Sequence, residues 1–376
     1  MTAPARILHL HSSFSLGGKE ARAVRLMSLM GPRAAHSIVS AVPQALGARD
    51  AIGPRIAADF PGTAAPPLHG RPGLRRYRDL VRYMQGFDLV LSYNWGAMDG
   101  VMAHRLWSPF LRLPPLIHHE DGFNEDEAVR RNWKRNAFRR IALTTARALV
   151  VPSESLGHIA RTEWGCDPRL IRNGVDVSAY AATPDLAIPG LDRTAGEVVI
   201  GTVAGLRAVK DLPRLVRAVA ALPGHVRLVI VGDGPERAAV ASEAARLGVG
   251  DRLVMPGFMA APHRWIGHFD LLALSSRSEQ MPIAVVEAMA AGLPIVSPAV
   301  GDVAAMVSPE NRCYIVSTEV DLADALMPLV ADRDQRKRIG AANAARAAAL
   351  FDEAAMVAAY DGLYGAALGG RSLFGG

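Results

Sequence analysis

Residues 271–297 read LLALSSRSEQMPIAVVEAMAAGLPIVS, and this stretch contains one complete strand–helix–strand unit. Apolar, strand-like runs occupy Leu271–Ser275 and Pro294–Ser297. Between them, Pro282 suits the first turn of a helix and Gly292 suits its C-terminal stop. Two strands joined through a helix in this way are typical of a parallel sheet.

The same alternation runs through almost the whole chain of 376 residues. The other predicted strands are Arg6–Leu10, Ser37–Ala41, Asp88–Tyr93, Leu116–His119, Ala148–Pro152, Val198–Ala204, Val226–Val231 and Leu253–Pro256. Helical patterns between them include Glu20–Met30, Arg75–Gln85, Glu127–Ile141 and Ser155–Trp164. The repetition predicts an α/β protein with doubly wound parallel sheets, and at roughly 150 residues per domain the length predicts two domains.

The alternation is interrupted once, over Ala179–Gly196, where prolines and glycines occur without periodicity. This interruption predicts an interdomain linker. We therefore expect a first domain over residues 1–178 and a second domain over residues 179–351. The alanine-rich segment Ala341–Ala367 is helical by propensity and carries an apolar stripe, which predicts a packing helix rather than disorder.

Composition is that of an ordinary globular protein, with 50% hydrophobic and 21% charged residues. No apolar run reaches the roughly 18 residues of a membrane helix, and the apolar stretch within Met1–Leu10 is too short for a signal peptide, so we expect a cytoplasmic protein. Cys166 and Cys313 are too few for a disulfide framework. The net charge of +6 favours anionic partners such as phosphates, nucleic acid or an acidic membrane surface.

Parallel sheets bind ligands at the carboxyl ends of their strands, so the segments after each strand are the candidates for chemistry. The first such segment, residues 15–20, reads SLGGKE and precedes the first predicted helix. Gly17 and Gly18 let backbone N–H groups converge at a helix N-terminus, where a phosphate is stabilised. A tight turn that merely starts a helix explains the same residues.

The second segment, residues 204–211, reads AGLRAVKD and follows the first strand of the second domain. Arg207 and Lys210 are two cations that could neutralise a diphosphate. A solvated basic loop is the alternative.

The third segment is Glu279–Glu287, at the start of the helix quoted above. Glu279 lies in the loop before this helix, and Glu287 lies within it among apolar residues. A lone carboxylate in apolar surroundings is costly without partners, and two sugar hydroxyls could serve as donors to it. A surface glutamate on an amphipathic helix is the alternative.

The fourth segment, residues 118–123, reads HHEDGF and ends a strand of the first domain. Four titratable residues at one strand end suggest a catalytic group, whereas a polar loop cap is the simpler explanation. Metal ligands are usually spaced on one face rather than adjacent, so we expect no metal. The run GDGPER at residues 232–237 lacks the third glycine of a dinucleotide fingerprint, and Asp332-Arg333-Asp334 suits helix capping.

In order and spacing, these segments resemble the retaining GT-B glycosyltransferases of family 4. The matching features are Gly17-Gly18, IRNGVD at 171–176, the Lys210 loop, VGDGPER at 231–237 and Glu279-x7-Glu287 followed by AMAxGxP. The resemblance implies two Rossmann-like domains facing across a cleft, with the acceptor held by the first and a nucleotide-sugar by the second. It also implies that the C-terminal helix, over residues 352–376, packs back on the first domain.

The resemblance implies a role for each residue. Glu287 would hold the ribose, Glu279 a hydroxyl of the donor sugar, and Lys210 with Arg207 the diphosphate. The implied catalytic set comprises His119, Glu120, Asp121, Arg207, Lys210 and Glu279. The implied donor-binding set comprises Gly17, Gly18, Arg207, Lys210, Glu279, Ile283 and Glu287. No metal and no cofactor besides the donor substrate are implied.

Three features depart from the family pattern. Gly205 stands where the family commonly has an arginine, and Arg207 is taken to substitute for it. The sequence after Gly301 reads DVAA, which lacks one acidic contact. The histidine position of the first domain has two registers, since either His119 or Asp121 fills it.

The resulting hypothesis is a metal-independent transferase that moves a hexose-type sugar from UDP or GDP to a saccharide or lipid-linked acceptor, with retention. Polysaccharide or glycolipid assembly is the expected context. A different GT-B enzyme, such as an epimerase or phosphorylase, and a non-catalytic nucleotide- or sugar-binding protein are the alternatives.

The acceptor side of the hypothesis rests on two basic stretches of the first domain. These are Arg130, Arg131, Lys134, Arg135, Arg139 and Arg140 with Trp133 and Phe138, and Arg71, Arg75, Arg76, Arg78 and Arg82 with Tyr77 and Tyr83. Helical spacing places Arg131, Lys134, Arg135 and Phe138 on one face. Basic helices with aromatic residues suit an anionic membrane, which would place the protein at the inner face of the plasma membrane. Two solvated surface helices would show the same pattern, and no motif here reads nucleic acid.

Overall fold

The structure is a computed structural model, and it describes residues 3–15, 17–71, 73–123, 127, 131–317 and 322–375. The chain divides into two compact units. Unit 1 comprises Met1–Arg172 and Met356–Gly376, and unit 2 comprises Asn173–Ala355.

Unit 1 is built on seven parallel strands in the order β3-β2-β1-β4-β5-β6-β7. The strands are β1 (Ala5–His11), β2 (Ala34–Ser40), β3 (Ala58–Asp59), β4 (Leu89–Tyr93), β5 (Leu116–His119), β6 (Ala148–Val151) and β7 (Arg169–Leu170). The helices are α1 (Gly18–Met30), α2 (Leu74–Met84), α3 (Met98–Trp107), α4 (Trp133–Ala142), α5 (Glu154–Ile159) and, at the end of the chain, α13 (Glu353–Ala367).

Both faces of the unit 1 sheet are covered, because successive side chains of a strand point to opposite faces. Ile7 packs on the face that α1 and α13 cover, in one cluster with Met27 and Tyr360. Leu8 packs on the opposite face with Leu80 of α2. The strands are therefore apolar on both sides, which is why they form continuous apolar runs in the sequence.

Unit 2 is built on six parallel strands in the order β10-β9-β8-β11-β12-β13. The strands are β8 (Val198–Val203), β9 (Val226–Val231), β10 (Leu253–Gly257), β11 (Leu271–Ala273), β12 (Ile295–Pro298) and β13 (Ile315–Val316). The helices are α6 (Val177–Tyr180), α7 (Leu212–Ala220), α8 (Arg237–Arg246), α9 (Ile283–Ala290), α10 (Val303–Met306), α11 (Leu322–Ala331) and α12 (Arg333–Leu350).

The predicted linker at Ala179–Gly196 is wrong, because this segment is part of unit 2. Ile188 is buried in the unit 2 core, and the backbone N–H groups of Asp185 and Leu186 donate to the carbonyl of Arg264. The loss of periodicity therefore marks an irregular segment that packs on the core. The division falls earlier, between Arg172 and Asn173.

The single predicted helix over Ala341–Ala367 is two helices, since the chain breaks at Phe351 and Asp352 between α12 and α13. Phe351 is buried in the core of unit 2, whereas Tyr360 and Tyr364 are buried in unit 1. Alanine propensity is the same on both sides of the break, so the sequence pattern does not reveal it. Asp332 accepts a hydrogen bond from the backbone N–H of Gln335, as its predicted capping role requires.

Each sheet reverses its strand order at one point, between β1 and β4 in unit 1 and between β8 and β11 in unit 2. In doubly wound sheets, ligands bind at the carboxyl ends of the strands beside this reversal. The segments after β1, β4, β8 and β11 are therefore where each unit can hold a ligand. Both cysteines, Cys166 and Cys313, are free thiols.

Candidate functional sites

Two glycines in the segment after β9 pack closely against the backbone of the loop that follows β8. A Cβ atom on Gly232 would lie 1.9 Å from the carbonyl oxygen of Ala204, and one on Gly234 would lie 2.5 Å from that of Leu206. Both glycines also have positive φ, at +135° and +156°. The run GDGPER therefore lets the backbone after β9 approach the Arg207–Lys210 loop closely.

Lys210 and Glu279 form an ion pair between the loops that follow β8 and β11. The Nζ atom of Lys210 lies 2.5 Å from Oε1 of Glu279, and the hydroxyl of Ser276 donates to the same oxygen at 2.7 Å. The side chains are 17% and 11% exposed, so both remain accessible to a ligand. The pair spans the point where the strand order of unit 2 reverses.

Arg207 is exposed on the same loop, three residues before Lys210. Within the part of the chain that the structure describes, its guanidinium forms no ion pair. Because Arg207 has no carboxylate partner, its guanidinium is available to bind an anion next to Lys210.

Glu287 lies in the middle of α9, and its Oε1 accepts a hydrogen bond of 3.1 Å from the hydroxyl of Tyr180. Burial raises the pKa of Glu287 to about 7, although the Tyr180 hydrogen bond acts in the opposite direction. A carboxylate has about four acceptor positions, so one tyrosine leaves room for ligand hydroxyls. Ile283 begins the same helix and is half-buried against the core.

The glycine that follows β12 supports the Glu279 loop. Gly301 has φ +54°, and a Cβ atom there would lie 2.4 Å from the carbonyl oxygen of Gln280. The backbone N–H of Asp302 donates to that same carbonyl at 2.9 Å. The segment that departs from the family pattern thus holds the backbone next to Glu279.

In unit 1, Gly17 precedes α1 and Gly18 is its first residue, while Leu16 lies outside the described residues. Lys19 folds back over the preceding loop, where its Nζ lies 3.0 Å from Oγ of Ser12 and 2.7 Å from Oε1 of Glu20. Burial raises the pKa of Glu20 despite this contact. The helix N-terminus therefore already carries a pair of opposite charges.

The last residue of β5, His119, and the two residues that follow it differ in burial and in their contacts. His119 is buried, with ring nitrogens 3.3 Å from the carbonyl oxygen of Ser92 and 3.0 Å from the hydroxyl of Tyr364. Glu120 is also buried, and its Oε2 lies 3.4 Å from Nε of Arg139. Asp121 alone has a partly exposed carboxylate, at 12%. Of the three predicted catalytic residues, His119 and Glu120 are turned to the interior of unit 1.

The predicted basic helix Glu127–Ile141 is not continuous, because Arg131 and Asn132 are not helical and α4 begins at Trp133, where the side chain of Asn132 caps the backbone N–H of Lys134. Glu127 is helical, and residues 128–130 lie outside the described residues. Arg131 therefore precedes the helix and pairs with Glu163 at 2.5 Å. Other basic residues of the two stretches also form ion pairs. Arg135 and the fully buried Arg139 both pair with Glu127, and Arg76 of the second stretch pairs with Asp99. The prediction of a continuous basic face through Arg131 and Arg135 is wrong, and Arg130 lies outside the described residues.

Three contacts of these sites were not predicted from the sequence. Arg22 binds Asp121, Tyr180 binds Glu287, and Ser276 binds Glu279. Tyr180 follows the IRNGVD motif by four residues, and that proximity is the only sequence signal for it. No sequence signal indicates the Arg22–Asp121 contact, because a single arginine in a helix is usually exposed to solvent.

Among the described residues there is no group of three His, Cys, Asp or Glu side chains that could hold a metal ion. None of the helices in this part of the chain combines the length and apolarity needed to cross a membrane.

Two doubly wound units, each with polar side chains beside its strand reversal, define the fold as that of the two-domain GT-B class. Two family models match the chain: Glycosyltransferase Family 4 over residues 16–179 and Glycosyl transferases group 1 over residues 189–346. Together they span both units, and the chain belongs to the family 4 glycosyltransferases of the GT-B class.

Curated relatives and solved structures agree with this assignment. The D-inositol 3-phosphate glycosyltransferase of Nocardia farcinica is 30% identical over 306 residues, which cover 72% of this chain and 65% of that protein. The 2-deoxystreptamine glucosyltransferase of Streptomyces kanamyceticus is 31% identical over 182 residues, covering 44% and 46%. The chain thus spans less than two thirds of the length of these relatives.

Among solved structures, Anabaena Alr3699/HepE in complex with UDP and glucose aligns with a TM-score of 0.78 at 19% identity, covering 96% of this chain and all of that one. WaaG, a glycosyltransferase of lipopolysaccharide biosynthesis, aligns with a TM-score of 0.70 at 15% identity, covering 96% of this chain and all of that one. At these identities the likeness shows the shared fold.

Proposed function

We propose that this chain is a glycosyltransferase that transfers a hexose-type sugar from a UDP- or GDP-sugar to a saccharide or lipid-linked acceptor, with retention and without a metal ion. In this proposal unit 2 holds the donor and unit 1 holds the acceptor. Polysaccharide or glycolipid assembly is the proposed context.

The observation that carries the proposal is the Lys210–Glu279 pair beside the strand reversal of unit 2. Lys210 and the exposed Arg207 supply positive charge where a diphosphate leaving group gains negative charge. The second carboxylate oxygen of Glu279 then accepts a hydrogen bond from a hydroxyl of the donor sugar, and Glu287 accepts hydrogen bonds from the ribose hydroxyls. The HepE structures with UDP and with UDP-glucose support this class of donor.

The proposal is tested with a panel of UDP- and GDP-sugars, by following release of the nucleoside diphosphate with and without an acceptor mixture. We expect release from at least one donor, retention at the anomeric carbon of the product, and unchanged rates in EDTA. Loss of activity in EDTA that a divalent ion restores would refute the metal-free mechanism. Turnover of a sugar phosphate in place of a nucleotide-sugar would instead indicate a phosphorylase, and absence of any turnover a binding protein.

Replacing Glu287 with glutamine should weaken nucleotide binding by about 1–3 kcal/mol, because a hydrogen bond to an ionised acceptor is lost. The affinity of the unmodified protein should also rise with pH. Since the pKa of Glu287 is about 7, the ionised fraction is about ten times larger at pH 8 than at pH 6. Calorimetric titration with UDP and GDP at both pH values measures this difference.

The same titrations with Glu287→Gln should show a smaller change between pH 6 and pH 8, because only the terminal phosphate of the nucleotide and not residue 287 then titrates in this range. Exposed Glu310 of the same unit provides the matched control, and Glu310→Gln should bind like the unmodified protein. An affinity that Glu287→Gln leaves unchanged would remove Glu287 from the donor site.

For the acceptor side, we propose contact with an anionic membrane surface through the helices α2, α3 and α4, which pack side by side in unit 1. Three large apolar side chains on or beside them are exposed: Leu74 by 76%, Phe110 by 82% and Trp133 by 72%. Three exposed cations accompany two of these side chains: Arg75 follows Leu74, Lys134 follows Trp133, and Arg78 lies about one helical turn after Leu74. Apolar and basic groups on one surface favour anionic lipid.

The triple charge reversal Arg75→Glu, Arg78→Glu and Lys134→Glu should abolish co-sedimentation with phosphatidylglycerol-containing vesicles, because it replaces attraction with repulsion. Nucleotide affinity should not change, since these residues belong to unit 1. The matched control reverses three exposed cations of α12 in unit 2, Arg333, Lys337 and Arg338. If the unmodified protein fails to sediment with these vesicles at low salt, the acceptor is a soluble one.

A further inference from the structure

His119 has no hydrogen-bonding capacity left for a ligand. Its Nδ1 faces the carbonyl oxygen of Ser92, which only accepts, so Nδ1 carries the proton and Nε2 accepts from the hydroxyl of Tyr364. The ring also stacks on Tyr93 at 4.7 Å between centroids. Burial, followed by the positive charge of Arg22, lowers the pKa of His119 to about 3, so the ring stays neutral in this network.

Asp121 is held in the opposite way, with its carboxylate fixed in place and still accessible. Arg22 of α1 approaches both oxygens, with Nη1 2.6 Å from Oδ1 and Nη2 2.9 Å from Oδ2. Such a two-pronged contact fixes the plane of the carboxylate. Two of its roughly four acceptor positions remain for other donors. Burial alone would raise the pKa of Asp121, but the charge and the hydrogen bonds of Arg22, with smaller contributions from neighbouring groups, together lower the pKa.

The backbone next to Asp121 is fixed as well. Its N–H donates to Oδ1 of Asn94 at 2.8 Å, and the N–H of Asn94 donates to the carbonyl of His119 at 2.8 Å. Asn94 has φ +56°, an unfavourable conformation for a residue with a side chain. Residues held in such conformations are concentrated at functional sites.

These contacts come from the segments after β1, β4 and β5, and β1 and β4 are the strands at which the order of the unit 1 sheet reverses. Asp121 and Arg22 therefore lie where the topology predicts that a ligand binds, whereas His119 is buried against α13.

We propose that Asp121 binds a hydroxyl of the reacting sugar and that Arg22 acts as its positioning residue, while His119 has a structural role. This inference rests on the proposed glycosyltransferase function and assigns the first-domain residue of that reaction. The carboxylate of Asp121 accepts a hydrogen bond from the sugar hydroxyl and thereby orients the sugar ring, without forming a covalent bond.

The test measures kcat, KM for the donor, nucleotide affinity and the unfolding midpoint for four variants. We expect Asp121→Asn to lower kcat by about 100-fold, as for removal of a positioned polar group, with nucleotide affinity unchanged. The unfolding midpoint should fall, because the buried Arg22 loses its carboxylate, so kcat is measured at a temperature at which the variant is fully folded. Arg22→Lys, which keeps the charge but loses the two-pronged contact, should lower kcat by about tenfold. Because Arg22 acts through Asp121, the double variant Arg22→Met/Asp121→Asn should lose no more than Asp121→Asn alone.

Tyr364→Phe is the control, since it removes the hydroxyl that contacts His119 and Tyr93 but leaves Asp121 paired with Arg22, and it should keep kcat within about threefold of the unmodified protein. If Tyr364→Phe loses as much kcat as Asp121→Asn, or if Asp121→Asn retains full kcat, the assignment to Asp121 is wrong while the transferase function stands. If the unmodified protein turns over no nucleotide-sugar, the proposed function itself fails, and the assignment fails with it.

Discussion

Replacing Lys210 with alanine is expected to lower kcat/KM for the nucleotide-sugar by about 10²- to 10³-fold, because a fixed cation at the leaving diphosphate stabilises charge that develops only in the transition state. Lys210 is suited to this task because Glu279 and the loop geometry already fix its position, so it needs little reorganisation. Arg207→Ala should lower turnover as well, without lowering stability. Steady-state kinetics with the active donor measure both effects.

The control for Lys210→Ala is Lys337→Ala, which removes an exposed lysine from α12 of the same unit. Unfolding midpoints separate lost chemistry from lost structure, since Lys210→Ala also leaves Glu279 without its cation. The double variant Lys210→Ala/Glu279→Gln addresses this point, because it removes both charges of the pair while glutamine can still accept from Ser276. A Lys210→Ala enzyme with kcat/KM close to that of Lys337→Ala would mean that the diphosphate binds elsewhere.

The largest expected effect on stability belongs to Arg139, which is completely buried within unit 1. Its Nη1 and Nη2 lie 3.1 and 3.0 Å from the two carboxylate oxygens of Glu127. Its guanidinium carbon also lies 4.9 Å from the ring centroid of Trp95 and 5.1 Å from that of Trp164. Hydrogen bonds from Arg139 and Arg135 lower the pKa of Glu127 although burial alone would raise it.

Arg139→Ala should therefore lower the free energy of unfolding by about 3–5 kcal/mol, because it leaves the buried carboxylates of Glu120 and Glu127 without their shared cation. Urea unfolding followed by tryptophan fluorescence measures this loss. Its neighbour Arg140 on the same helix is exposed, so Arg140→Ala should change the free energy by no more than about 0.5 kcal/mol. Equal shifts for the two variants would contradict the role given to Arg139.

Much of the fold could be predicted from the sequence. The strands Leu116–His119 and Val226–Val231 have the predicted bounds, because strands buried on both faces form uninterrupted apolar runs. Strands β3, β7 and β13 have only two residues each, too few to show any periodicity. The alanine-rich pattern does not show the break between α12 and α13, since the break depends on which unit each half packs against. The expected domain end at residue 351 and the helix from residue 352 came from the family resemblance alone.

The candidate sites could be predicted in part, because the rule that ligands bind at strand ends selects Lys210, Glu279 and Asp121 without any coordinates. Arg139 shows where such reasoning fails. Helical spacing groups the cations of α4 by face, but it cannot show that Arg139 is surrounded by three aromatic rings and two carboxylates, those of Trp95, Phe123, Trp164, Glu120 and Glu127. The partners of Arg22 and Tyr180 are 99 and 107 residues away, and the sequence alone carries no sign of such distant pairings.

The return of the chain to unit 1 has a consequence for biosynthesis. Unit 2 is one continuous segment, so all of its residues have been synthesised before the last helix of unit 1 leaves the ribosome. Until then, the face of the unit 1 sheet that carries Ile7 and Leu91 lacks the cover that Tyr360 and Tyr364 provide, and His119 lacks its hydrogen-bond donor. Unit 1, most of which is translated first, is therefore completed only after unit 2. Until then α1 alone covers this apolar sheet face, and the part that the last helix will cover is open to chaperones.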